Sequence, residues 1–108
     1  MTARLPISAF FIAFNEADRL PQALKPVLAL CDEVIVIDSG STDGTPQLAA
    51  AMGAQVFTNT PFPGYGGQKR FGEDRCSHVW LLNLDADEEL SPQAVSDIRT
   101  LFAAGPPA

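Results

Sequence analysis

The chain has 108 residues, 46% of them hydrophobic, and 13 acidic against 7 basic side chains give it a formal charge of −6. That is enough chain for one small domain with one core, and short for an enzyme that must hold two substrates. The charge disfavours non-specific attraction to nucleic acid or to an anionic membrane surface, so a bound polyanion would need a local basic cluster or a metal.

Four short apolar runs, Ile7 to Phe14, Val34 to Ile37, Ala54 to Phe57 and Val79 to Leu84, alternate with helix-like segments. The alternation predicts an α/β fold with a four-stranded, mainly parallel sheet flanked by helices. The first run meets Asn15-Glu16 after eight residues and lacks a small-residue cleavage site, so it reads as a strand and not as a signal peptide or membrane span. Asn15 is an acceptable N-cap for the helix that follows, whose apolar stripe is Leu20, Ala23, Leu24, Val27 and Leu28. Pro21 suits a first turn. Pro26 removes a backbone donor, which predicts a kink or an irregular last turn near Lys25. Neither Cys31 nor Cys76 sits in a CxxC or Cys/His spacing, which argues against zinc and for a reducing compartment, with both read as ordinary buried thiols.

The second run ends in Asp38-Ser39-Gly40-Ser41-Thr42-Asp43-Gly44-Thr45-Pro46. Glycines that permit positive φ and short polar side chains that bond nearby amides make this a tight strand-to-helix turn. Thr45-Pro46 caps a helix ending before Gly53, and such loops also occur where no ligand binds. Asp38 is therefore open to either a structural or a ligand-binding role. Between the third and fourth runs, the prolines and glycines of residues 59–67 force a loop, with a helix beginning near Gly66. Lys69 and Arg70, the only adjacent basic pair, can meet a phosphate or simply form a solvated helix face. His78, at the start of the fourth strand, reads as structural.

The fourth run passes without transition into Asp85-Ala86-Asp87-Glu88-Glu89. Ligands of parallel sheets bind outside the carboxyl ends of the strands, which puts Asp85 and Asp87 at the mouth of a site. If the segment stays extended, both carboxylates point one way and can converge on a hard cation. A bare Asp-x-Asp nevertheless arises by chance about 0.4 times in a chain this long at average composition. Glu88 and Glu89 precede Ser91-Pro92, an N-cap and first helical residue, where negative charge suits the helix dipole. Ala94, Val95, Ile98, Leu101 and Phe102 continue the last helix as its apolar stripe, which Gly105-Pro106-Pro107 stops.

Taken together, Phe14-Asn15-Glu16, then residues 34–45, then Gln68-Lys69-Arg70, then residues 82–88 resemble family 2 glycosyltransferases of the GT-A fold, over nearly the whole chain. Within that family the likeness is to lipopolysaccharide core-biosynthesis glucosyltransferases. The resemblance implies a Rossmann-like nucleotide-binding half and a nucleotide-diphosphate sugar donor, commonly of uridine. It implies that Asp38 reads the base, that Asn15 and Glu16 form the turn beside the nucleoside, and that Asp85 lies close to ribose and metal. It also implies that Asp87 coordinates Mg²⁺ or Mn²⁺ against the diphosphate, in a transfer that inverts the anomeric centre of the sugar. Arg70 stands where the family often has asparagine, so either Lys69 or Arg70 approaches phosphate.

In that family the general base and the acceptor pocket come from well beyond the Asp-x-Asp motif. The chain is thus expected to be a truncated donor-binding half, inactive alone, with the base beyond Ala108 and a saccharide or glycolipid acceptor. The implied location is the cytoplasm, with a peripheral place at the inner membrane as its variant. In the resembled fold later elements cover the fourth strand, so here its edge and the apolar area around Trp80 are expected to lie open and to support a homodimer. A phosphoacceptor receiver domain would need an acidic pair after the first strand, where Asn15-Glu16 stands. A haloacid dehalogenase-type phosphatase would need Thr or Val at Glu89. A non-catalytic nucleotide-binding module and a receiver-like Mg²⁺-binding signalling domain remain the alternatives.

Overall fold

The computed structural model describes residues 3–105. Strands β1 (Leu5–Ala13), β2 (Cys31–Asp38), β3 (Gln55–Thr58) and β4 (Trp80–Asp85) alternate with helices α1 (Leu20–Leu30), α2 (Thr45–Met52), α3 (Tyr65–Arg75) and α4 (Pro92–Ala103). All three strand pairs are parallel and the order is β3-β2-β1-β4, so the α/β expectation holds and the sheet is parallel throughout.

Two apolar layers follow from the alternation of side chains along each strand. On one face Ala9, Phe11, Val34, Val36 and Leu84 meet Leu20, Leu24, Val27 and Leu30 of α1 and Ala49 of α2, with Val95, Ile98 and Phe102 of α4 packed against them. On the other face Phe10, Ile35 and Ile37 are covered by Phe57, Phe71 and Cys76. Helix α3 lies tight on that face because Gly72 has no side chain: a Cβ there would come within 2.6 Å of Phe10 Cδ2. Central strands β1 and β2 are buried on both sides, as covered parallel strands are. Edge strand β4 buries only part of one face, and Leu81, Asn83 and Asp85 on its other face are exposed.

Several local expectations change. Asn15 is not the N-cap of α1. It lies in a left-handed turn at φ 51°, and the helix begins at Leu20, where Pro21 presets the first turn and the Glu16 carbonyl accepts from the Arg19 and Leu20 amides at 3.1 and 2.8 Å. α1 runs unbroken through Pro26; the proline withholds one donor from the carbonyl of Gln22, an exposed position where water can serve instead. β2 starts at Cys31, directly after α1, and β4 starts at Trp80, so His78 precedes it. Trp80 is half-buried, because α4 folds back and sets Phe102 edge-on against it at 5.9 Å. Among the described residues no strand pairs the outer edge of β4, as expected, but the exposed apolar residues there are Val79 and Leu81. Cys31 is buried and Cys76 only partly so, both as free thiols. Ser91 caps α4 by accepting from the Ala94 amide at 3.0 Å, and Gly105 takes φ 100° beyond its end, while Pro106 and Pro107 lie outside the described residues.

The connection into β4 is held by carboxylates at the opposite end of the sheet. Glu33 accepts from Ser8 Oγ, the Ser77 amide and Ser77 Oγ at 2.7–2.8 Å, and His78 Nε2 lies 3.0 Å from Asp32. Burial alone would raise the Glu33 pKa; the bonds from Ser8 and Ser77 and the nearby His78 outweigh it and hold the carboxyl below its ordinary value. His78 is thus structural, as its sequence context predicts.

Candidate nucleotide site

Strand order reverses direction at β1: the chain steps outward to β2 and β3 with α1 and α2 on one face, then crosses the other face through α3 to pair β4 on the far side of β1, and this is where parallel sheets form ligand crevices. The carboxyl ends collect acidic groups as expected. Ala13 of β1 is in register with Asp38, and Ile12 with Asp85, so the two aspartates flank β1, about 10 Å apart from the strand spacing.

The turns after β1 and β2 are interlocked. The amides of Asn15, Glu16 and Ala17 donate in succession to Ser41 Oγ, Thr45 Oγ1 and Asp43 Oδ2 at 2.8, 3.0 and 3.1 Å, and Asn15 Oδ1 accepts in return from the Thr42 amide at 2.8 Å. Asp43 also takes bonds from the Thr45 hydroxyl and amide; the hydroxyl bond is the main reason its carboxyl is held below the ordinary range, against a smaller opposing effect of burial. Asp38 is buried, and its carboxylate accepts from the Gly40 and Ser41 amides at 3.0 and 2.8 Å and from Ser41 Oγ at 2.6 Å. Both of its oxygens are therefore engaged within its own loop.

In front of this clamp opens a cleft of about 420 Å³ lined by Ile12, Ala13, Phe14, Glu16, Ser39, Phe62 and Tyr65. The volume falls within the range of small-molecule sites, and the lining of apolar walls with a few polar groups is typical of them. Phe62 and Tyr65, edge-to-face at 5.2 Å, form one exposed aromatic wall where the loop enters α3, and Phe14 adds another exposed ring. Of the residues singled out from sequence, Glu16 reaches the cleft wall, while Asn15 and Asp38 stand behind it in the loop clamp. Lys69 and Arg70 are exposed on the first turns of α3.

Asp85 and Asp87 do not lie on one extended segment as expected. The strand ends at Asp85, and a turn follows, closed by Glu88, whose amide donates to the Asp85 carbonyl at 2.9 Å and whose Oε1 accepts from the Asp85 amide at 2.8 Å. Ala86 is buried in the core within this turn, and residues 86 and 87 turn instead of continuing the strand. Asp87 is exposed and lies 3.5 Å from Arg19 at the start of α1. Among the described residues no group of three or more His, Cys, Asp or Glu side chains is placed to hold a metal ion. Two exposed carboxylates remain a fitting donor set for Mg²⁺ or a similar hard cation, which is held by one or two carboxylates and completed by substrate phosphates and water.

Gln68 falls in a stretch that resembles the family, but no role for it was legible from the sequence. It is fully buried, accepts from Asn59 Nδ2 at 2.7 Å and donates to Ser39 Oγ at 2.8 Å, tying α3 to the cleft wall. A further hint is its place four residues before Gly72, on the face of α3 that comes closest to the sheet.

The comparisons agree with this geometry. Residues 8–108 match glycosyl transferase family 2. An uncharacterized glycosyltransferase of Rickettsia felis is 49% identical over 98 residues, covering 91% of this chain and 34% of that protein. The lipopolysaccharide core biosynthesis glycosyltransferase LpsC of Rhizobium meliloti is 40% identical, over 96% of this chain and 40% of its own length. The structure of Mycobacterium tuberculosis glucosyl-3-phosphoglycerate synthase in complex with Mn²⁺, UDP-glucose and phosphoglyceric acid superposes with a TM-score of 0.66 at 29% identity, covering 77% of this chain and 35% of that one. The chain thus spans between a third and two fifths of these proteins. With a parallel sheet, a cleft at its switch point and a family match over nearly its whole length, the chain belongs to glycosyl transferase family 2.

Proposed function

We propose that the chain is the donor-binding half of an inverting glycosyltransferase that takes a nucleotide-diphosphate sugar, a uridine one, for transfer to a saccharide or lipopolysaccharide-core acceptor. The observation that carries this reading is the placement of a nucleoside-sized cleft and the Asp85-Ala86-Asp87 turn at the same carboxyl edge of the sheet. The base and ribose lie in the cleft against Phe62, Tyr65 and the Asn15-Glu16 turn, with Asp38 at the base end. Asp85 and Asp87 hold the divalent cation, and Lys69 or Arg70 meets phosphate. The cation, when bound, neutralises charge on the departing diphosphate. The protein's own contribution is orientation: the clamped turns fix the nucleoside, and the turn after β4 fixes the two carboxylates relative to it.

The similar synthase of M. tuberculosis is described with Mn²⁺ and UDP-glucose, and the R. meliloti relative is named for lipopolysaccharide core biosynthesis; both support the donor, metal and acceptor classes named here. The general base and acceptor pocket are proposed to belong to the part of such proteins that this chain does not span, so the chain alone hydrolyses donor at background rate. The proposed location is the cytoplasm, with peripheral contact at the inner membrane; no helix among the described residues is long and apolar enough to cross a membrane. The open edge of β4, with Val79 and Leu81 exposed, is proposed as a self-association surface.

Calorimetric titration of UDP with and without Mn²⁺ tests the reading. Binding that needs the cation, is abolished by EDTA and weakens at least tenfold in Asp87→Asn is expected. Equal affinity in EDTA, or no loss in Asp87→Asn, refutes the metal assignment.

A further inference from the structure

The hydrogen bonds of Gln68 have a fixed polarity. Its Nε2 lies 3.3 Å from the backbone carbonyl oxygen of Asn59 and 2.8 Å from Ser39 Oγ, and its Oε1 lies 2.7 Å from Asn59 Nδ2. A backbone carbonyl can only accept, so the amide nitrogen must face it; turning the amide over would set oxygen against oxygen in a fully buried position. The bond shared with Ser39 is therefore donated by Gln68. The Ser39 proton is left over, and among the described residues no protein group accepts it.

Ser39 stands on the cleft wall with Ile12, Ala13 and Phe14, and its main chain is pinned by a bond from its amide to the Ala13 carbonyl at 2.9 Å. Around it the cleft is mostly apolar. A ligand carbonyl satisfies the proton directly. A ligand amino group can reach only the remaining lone pair of Oγ, and then the proton points at nothing in a site from which the ligand has displaced water. The pair thus turns a serine, which can otherwise donate or accept, into a directional donor.

We infer that Ser39 is a base-selecting residue that favours a nucleobase edge bearing a carbonyl, as in uracil, over one bearing an amino group, as in cytosine, and that Gln68 is the positioning residue that sets its polarity. This rests on the donor-site reading above and deepens it. Both residues fall within the stretches that resemble the family, but neither is acidic or basic and the two are 29 positions apart, so nothing in the sequence pairs them.

The test is the ratio of UDP to CDP affinity, measured by titration with Mn²⁺ present. The wild-type chain is expected to prefer UDP about tenfold, the scale of one hydrogen bond gained against one left unmade. Ser39→Ala should bring the ratio close to one. Gln68→Met, similar in shape but without a donor, removes the bond that fixes the polarity of the hydroxyl and should lower the ratio several-fold; a merely structural role would weaken both nucleotides alike and leave the ratio in place. If Gln68→Met fails to fold by circular dichroism, Ser39→Ala, at a half-buried position, decides alone. Equal binding of UDP and CDP by the wild type, or an unchanged ratio in Ser39→Ala, overturns the inference while leaving the donor site standing. Failure of the wild type to bind either nucleotide overturns both.

Discussion

Gly72→Ala is expected to destabilise the protein although alanine is the better helix former. At this position the new Cβ would meet Phe10 Cδ2 at 2.6 Å, Phe10 Cε2 at 3.0 Å and Ile37 Cγ1 at 3.3 Å, where ordinary contact begins at 3.4 Å. Relief demands a shift of nearly an ångström by a phenylalanine that is 1% exposed and packed on Ile35 and Ile37. Overpacking of this kind costs about 1–3 kcal/mol, and the absence of a flexible neighbour puts this case near the upper end. Removing glycine from a helix returns about 1 kcal/mol, leaving a net loss of about 2 kcal/mol, or roughly 10 °C in Tm for a domain of this size. Gly66 on the same helix has nothing within 4 Å of its would-be Cβ, so Gly66→Ala should stabilise by up to about 1 kcal/mol. Urea and thermal unfolding of the two variants give opposite signs if the reasoning is right. The loss should shrink when Phe10→Leu makes room, since the two sites are in contact. Equal stabilisation by both alanines would refute the close approach of α3 to the sheet.

Three further outcomes are expected. Glu33 has a folded pKa below its ordinary 4.5, so its stabilising contribution is present above that value and is lost as pH falls through the lower folded pKa; Glu33→Gln should flatten, without abolishing, the acid fall in urea midpoint, since Asp43 is shifted the same way. Burial raises both thiols to about 11, so neither Cys31 nor Cys76 should react with iodoacetamide near neutral pH until denaturant is added, and fast native labelling would refute this. Light scattering over a concentration series should show reversible self-association that Leu81→Lys on β4 abolishes; a strict monomer at high concentration would remove that edge as a contact.

The strands were legible because their apolar runs are bounded by polar residues, and β1, β2 and β4 end close to where those boundaries predicted. The order β3-β2-β1-β4 was not, because periodicity describes one strand at a time and pairing is decided across the sheet. Asn15 was misread as a helix cap since a cap and a left-handed turn favour the same residue; its positive φ and the bond from Thr42 distinguish them. The coverage of Trp80 depended on α4 folding back, a contact between residues 22 positions apart that no local pattern encodes. At the site, charge drew attention to Asp85, Asp87, Lys69 and Arg70. The neutral Ser39-Gln68 pair was passed over because its meaning lies in the direction of its hydrogen bonds, and composition says nothing of direction.

The interlocking of the two turns has a kinetic side. The amides of Asn15, Glu16 and Ala17 each find their acceptor 26–29 residues later in the chain, so the turn after β1 cannot settle until β2 and its own turn are in place. Closing such a span is slower than forming either helix locally, which makes this rim of the sheet a late step in folding. In the native state the same dependence runs backwards. A single opening of residues 41–45 exposes all three amides at once, and they should exchange hydrogen for deuterium together, at one common rate, well before the amides of β1 that lead up to them.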